Sequence, residues 1–156
     1  MRFARLTYLF SCLLFLGCKP DPNPALPQAA TDVMRNADSY ELFSLELVDN
    51  QKPAGELFQS YSVRGKCPVA VQKDREWITA NIERGLAEPP TKRTYRWSQV
   101  YGVRAKRGES VVELLFDFDA NNLTVYWDGL NRSYPTSTHV WWLIQKKLFD
   151  AGVQHP

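Results

Sequence analysis

Val111-Val112-Glu113-Leu114-Leu115-Phe116-Asp117-Phe118, then Asp119-Ala120-Asn121-Asn122, then Leu123-Thr124-Val125-Tyr126-Trp127, is the stretch that decides the fold class. Val112, Leu114, Phe116 and Phe118 recur at every second position, the period of a strand that buries one face. The four residues after Phe118 tolerate left-handed backbone and read as a turn. Leu123 to Trp127 returns as a second strand, and Asp128-Gly129 turns the chain again. A short strand at Arg132 to Tyr134 closes the meander. Upstream, Ser98 to Lys106 reads as a strand that reaches Val111 through a turn at Arg107-Gly108. The second half is therefore antiparallel sheet joined by short turns.

The flanks add two helices and two strands. Tyr40 to Val48 alternates, with Phe43, Leu45 and Leu47 on one side and Ser44 and Glu46 on the other. Leu57 to Gly65 reads as one further strand. From Lys73 to Leu86 the apolar residues Ile78, Ile82 and Leu86 fall four apart among charged neighbours, which is helical spacing, and Pro89-Pro90 stops the run. After the meander, Ser137 or Thr138 stands where a helix cap is expected. Val140, Ile144 and Leu148 share a stripe up to Gly152. The expectation is a single α+β domain over residues 39–156, an antiparallel sheet of about five strands with two helices packed on one face and the other face open to solvent.

The N-terminus reads as an export signal over residues 1–17. Arg2 and Arg5 supply positive charge, and Leu6 to Gly17 is apolar but shorter than the roughly 20 residues a membrane-spanning helix needs. Phe15-Leu16-Gly17-Cys18 resembles the lipobox of bacterial lipoproteins, which implies cleavage before Cys18 and a diacylglycerol on its thiol. The alternative match, Leu9-Phe10-Ser11-Cys12, would leave almost no apolar core. Residues 18–38 then read as the lipidated Cys18 and a proline-rich tether. Pro20, Pro22, Pro24 and Pro27 favour extended polyproline geometry reaching roughly 55 Å. This reading gives a protein in the bacterial cell envelope, held at the membrane through Cys18 and facing the periplasm or exterior.

Charge and cysteine content narrow the function. The chain has 19 basic and 17 acidic side chains, so loss of Arg2 and Arg5 leaves 17 of each. A neutral mature chain gives no reason to expect nucleic acid as a partner. With Cys12 in the signal and Cys18 lipidated, Cys67 alone remains, and an internal disulfide is excluded. Cys67 is expected to be a small, partly buried hydrophobe.

Glu41-Leu42-Phe43-Ser44-Leu45, Tyr61-Ser62-Val63-Arg64-Gly65-Lys66, Tyr101-Gly102-Val103-Arg104 and the closing Asp150-Ala151-Gly152-Val153 give the chain a resemblance to a family of uncharacterised small bacterial lipoproteins of planctomycete type. The resemblance implies fold and address, and no activity comes with it.

Two stretches are candidate sites. Lys92, Arg93, Arg96, Trp97, Arg104, Lys106 and Arg107 mix cations with an aromatic ring, the composition of a possible anion-binding surface. Opposing acids at Glu109, Glu113, Asp117 and Asp119 make a balanced, solvated face the plainer reading. Asp117, Asp119 and Asn121, with Asp128 eleven residues after Asp117, match the spacing of a calcium loop. Asn122 stands where that loop has glycine, Asp128 is shorter than the usual glutamate, and the flanks read as strands. No metal or cofactor is expected. His139 and His155 are the only histidines, and no sequence motif of a hydrolase, metalloprotease or phosphate loop is present. The chain is expected to be a non-enzymatic binding or interaction module that meets an envelope protein or glycan. The alternative is a ligand-binding module for an anionic glycan, a lipid headgroup or calcium.

Overall fold

The computed structural model describes residues 25–48, 55–88, 100–117 and 121–153. Cys18, Lys92, Arg93, Arg96, Trp97, Asp119 and His155 lie outside these residues, as do the signal and the first part of the tether.

The elements run α1 (Gln28–Arg35), β1 (Ser39–Leu47), β2 (Leu57–Phe58), β3 (Tyr61–Pro68), α2 (Gln72–Ala87), β4 (Val100–Arg107), β5 (Ser110–Asp117), β6 (Asn122–Trp127), β7 (Leu130–Pro135) and α3 (Thr138–Asp150). All strands join one antiparallel sheet in the order β2-β3-β1-β4-β5-β6-β7. The sheet curls into a half-barrel with three helices. The α+β class and the meander from β4 to β7 follow the expectation. Among the described residues, seven strands replace about five, and three helices replace two.

The extra helix is α1, inside the stretch read as tether. Ala30, Val33, Met34 and Ala37 recur at helical spacing and are all buried, as is Leu26 before them. Polyproline geometry therefore does not extend to residue 38, and packing reaches back to Leu26. Arg75 fixes the end of α1. Its guanidinium donates to the carbonyl oxygens of Ala37 at 2.5 Å, Val69 at 2.7 Å and Ala70 at 3.1 Å. Gln72 Nε2 donates to the Arg35 carbonyl at 2.7 Å, satisfying an acceptor that the helix end leaves open.

The run read as one strand from Leu57 to Gly65 is a tight hairpin. Gln59 adopts φ 53°, a left-handed conformation that breaks the strand and turns it back. That hairpin covers part of the face expected to be solvated. Phe43, Leu45, Phe58, Val100 and Leu115 form a second, smaller core there. β1 is accordingly buried on both faces: Tyr40, Leu42 and Ser44 point to the helices, while Leu47 is exposed. Gly102 makes this packing possible. A Cβ on it would lie 2.8 Å from Phe58 Cζ and 3.1 Å from Leu45 Cδ1, so only glycine lets the Phe58 ring seat.

The main core lies between the sheet and the helices. Ile78, Ile82 and Leu86 of α2 and Val140, Ile144 and Leu148 of α3 are buried against Tyr101, Val103, Leu114 and Leu123. The two helices approach closely at Gly85, where a Cβ would meet Val140 Cγ2 at 2.2 Å. Cys67 is a free, partly buried thiol packed against this core.

Candidate functional site

Alternation along β4, β5 and β6 sends Arg104, Glu113 and Tyr126 to the helix-free face, and the register sets them side by side: Arg104 opposite Glu113, Glu113 opposite Tyr126. Arg104 is the centre of this face. Its guanidinium lies 4.9 Å from the centre of the Phe43 ring and 5.1 Å from that of Phe58, a cation resting on the second core. Nε donates to Glu113 Oε1 at 2.6 Å and Nη1 to Glu56 Oε1 at 2.9 Å. Burial pulls the Arg104 guanidinium down, but the carboxylates of Glu113 and Glu56 outweigh it and hold its pKa above the ordinary arginine value. Gln59, in the left-handed turn, donates to the other oxygen of Glu113. Lys66 donates to Glu56 at 2.9 Å, and with help from Arg104 this holds the Glu56 carboxyl below the usual carboxylate range.

Beside this cluster the curl of the sheet opens a groove of about 680 Å³. Glu109, Glu113 and Asp128 line it with Gln59, Tyr126, Trp127, Leu130 and Asn131, and among the described residues no lysine or arginine lines it. The β6–β7 turn forms its end: Asp128 and Gly129 have φ 49° and 71°, the paired positive values of a tight two-residue hairpin turn. The volume is that of an ordinary small-ligand site. The walls combine an aromatic ring with hydrogen-bond acceptors, which suits a polyhydroxyl or cationic group and repels an anion.

Of the cationic stretch, Arg104, Lys106 and Arg107 fall among the described residues. Arg104 is committed to Glu113 and Glu56, while Lys106 and Arg107 stand exposed at the end of the β4–β5 hairpin. Arg104 is thus a structural ion-pair centre and no free anion receptor. The calcium pattern comes apart as well. Asp117 pairs with Asn122 at the start of β6, and Asp128 follows the last residue of that strand. Six residues of strand separate them, roughly 20 Å at the rise of extended chain, so the two cannot share one ion. Among the described residues no cluster of acids, histidines or cysteines is arranged to hold a metal. Millimolar calcium is expected to leave the melting temperature unchanged, because a ligand that binds only the folded state must raise it. A calcium-dependent rise abolished by Asp117→Asn would overturn this.

Ser137 occupies the cap position of α3, yet its hydroxyl makes no capping bond to the helix backbone. It meets His139 Nδ1 at 2.5 Å, and the same nitrogen lies 2.9 Å from Glu88 Oε2. A serine–histidine–carboxylate relay needs the serine on one ring nitrogen and the carboxylate on the other. Here both contacts fall on Nδ1, while Nε2 is buried without a hydrogen-bond partner. The arrangement ties the end of α2 to the start of α3 and is no proton relay.

The groove draws on Gln59, Glu109, Glu113, Tyr126, Asp128 and Asn131, which are scattered along the sequence. Alternation placed Glu113 and Tyr126 outside the core, but only the curl of the sheet brings Gln59 to them. No family model, curated protein or solved structure matches the chain.

Proposed function

We propose that the chain is a membrane-anchored lipoprotein of the bacterial cell envelope that works as a non-enzymatic binding module, with the groove on the helix-free face as its ligand site. The observation that carries this reading is the groove itself: about 680 Å³, lined by Tyr126, Trp127 and three carboxylates, with no cation among the described residues. Its ligand class is a neutral or amine-bearing glycan, or a cationic segment of an envelope protein. An anionic glycan or lipid headgroup would meet Glu109, Glu113 and Asp128 and be repelled. A carboxylate-based hydrolase is less well supported, since Glu113 has both oxygens engaged, by Arg104 and Gln59, and offers no unpartnered oxygen to a substrate. Among the described residues no helix is long and apolar enough to cross a membrane. In this reading the lipid on Cys18 supplies the attachment, after removal of residues 1–17.

The address and the site are tested separately. A fatty-acid probe is expected to label the wild-type protein in cells and not Cys18→Ser; equal labelling of both removes the anchor. On an array of neutral, amino and acidic oligosaccharides, the wild type should favour the first two, and Tyr126→Ala should lose about 1 kcal/mol or more of that binding. A preference for acidic sugars, or binding indifferent to Tyr126, excludes the groove as the site.

A further inference from the structure

The place where the chain enters the fold limits what the domain can face. Leu26 is buried and Pro27 caps α1, and seven residues, Lys19 to Ala25, separate Cys18 from Leu26. Fully extended, that stretch spans roughly 25 Å. A globular domain of this length is about 35 Å across. The leash is shorter than the body it holds, so Pro27 stays within roughly 25 Å of whatever Cys18 is attached to.

The surface around Pro27 has a definite chemistry. Pro27 borders a crevice of about 120 Å³ whose other walls are Val125, Trp127, Leu130, Arg132 and Tyr134. The β6–β7 register puts Trp127 opposite Leu130 and Val125 opposite Arg132, on the helix-bearing side of the sheet. The helices leave this margin uncovered. Leu130 is 58% exposed, Arg132 is exposed, and Trp127 and Tyr134 are half-buried. Among the described residues no carboxylate pairs with Arg132. Trp and Tyr have an apolar body and a polar edge, and arginine has an apolar stem with a charged head; such side chains gather at the bilayer–water boundary.

We propose that the margin formed by Trp127, Leu130, Arg132 and Tyr134 beside Pro27 rests on the bilayer surface, with Leu130 among the lipid headgroups and Arg132 paired to anionic lipid phosphate. The inference depends on the lipid being at Cys18, as proposed above. Tyr126 and Asn131 of the ligand groove lie on the opposite face of the same strands, while Trp127 and Leu130 next to the β6–β7 turn border both the groove and this crevice, so a domain seated this way holds the Tyr126 wall of its ligand site away from the lipid.

The test uses the lipoprotein purified from cell envelopes and reconstituted in vesicles of phosphatidylethanolamine with phosphatidylglycerol, its anchor checked by mass. Hydrogen exchange over residues 128–135 is compared between the wild type and Leu130→Glu/Arg132→Glu. Both substituted residues are exposed, so the variant keeps its core. After correction for intrinsic rates, the wild type is expected to exchange about threefold or more slowly there, with the β4–β5 hairpin at 106–111 unchanged as the internal reference. Equal exchange in the two proteins, with lipid present on Cys18, overturns the docking and leaves the anchor standing. A protein without lipid on Cys18 overturns both.

Discussion

A chain begun at Ser39, where the sequence first looks globular, is expected to lose its cooperative thermal transition. Starting there removes Leu26, Ala30, Val33, Met34 and Ala37, five buried side chains that cover the sheet next to α2. It also strands Arg75, whose guanidinium loses the Ala37 carbonyl as a partner at a part-buried position. The single change Met34→Ala isolates part of the effect. Met34 is fully buried, and truncating such a side chain costs about 2–5 kcal/mol, against the roughly 5–15 kcal/mol that holds an ordinary domain. Thermal and urea unfolding followed by circular dichroism would measure both. A chain from Ser39 that melts cooperatively within a few degrees of the longer one would show α1 to be an ornament on a core complete without it.

Leu148→Ala should be comparably damaging, and its neighbour provides the control. Val140, Ile144 and Leu148 form one fully buried stripe on α3, facing the sheet and α2. Leu148 also lies where the chain leaves the helix: its carbonyl accepts the Val153 amide at 3.0 Å, which lays Val153 over Gly65 of β3. The loss expected is about 2–5 kcal/mol, toward the upper end if the cavity cannot collapse. Phe149, the next residue, is 69% exposed, and Phe149→Ala should change stability by no more than about 0.5 kcal/mol. The contrast in urea midpoints at unchanged slope is the measurement. Equal small effects would mean that α3 does not pack through this stripe.

How much of this was legible in the sequence depends on the range of the interaction that decides each element. The meander was readable because Val112, Leu114 and Phe116 of β5 and Leu123 and Val125 of β6 enter the main core at every second position and the turns are short, so local pattern and tertiary environment agree. β1 misled because both of its faces are covered: Phe43 and Leu45 do go inward, but Ser44 is buried too, under the helices. The hairpin at Gln59 was missed because a glutamine in left-handed geometry has no sequence signature, unlike glycine or asparagine. α1 was missed because the prolines before it set the expected conformation, although Ala30, Val33 and Met34 carry a helical stripe. The candidate site was the least legible. The cationic run drew attention through composition, yet Arg104 spends its charge on Glu113 and Glu56, and those acids come from other parts of the chain. Gly102 was the one local hint, a glycine inside a strand where a close approach is to be expected.

A half-barrel that does not close leaves two strands with a free rim, and such rims are templates for edge-to-edge association between copies. Here β2 is two residues long and pairs only with Tyr61 and Ser62, and the part of β3 beyond them carries the charges of Arg64 and Lys66 and ends at Pro68. β7 is longer, but it reads Leu130-Asn131-Arg132-Ser133-Tyr134-Pro135, polar and charged through its middle and ended by proline. Asparagine, serine and proline are poor strand formers, and an exposed arginine resists a second arginine brought alongside. The open architecture thus carries its own protection against polymerising through the sheet, and the curl can stay open for a ligand without the molecules adding to one another.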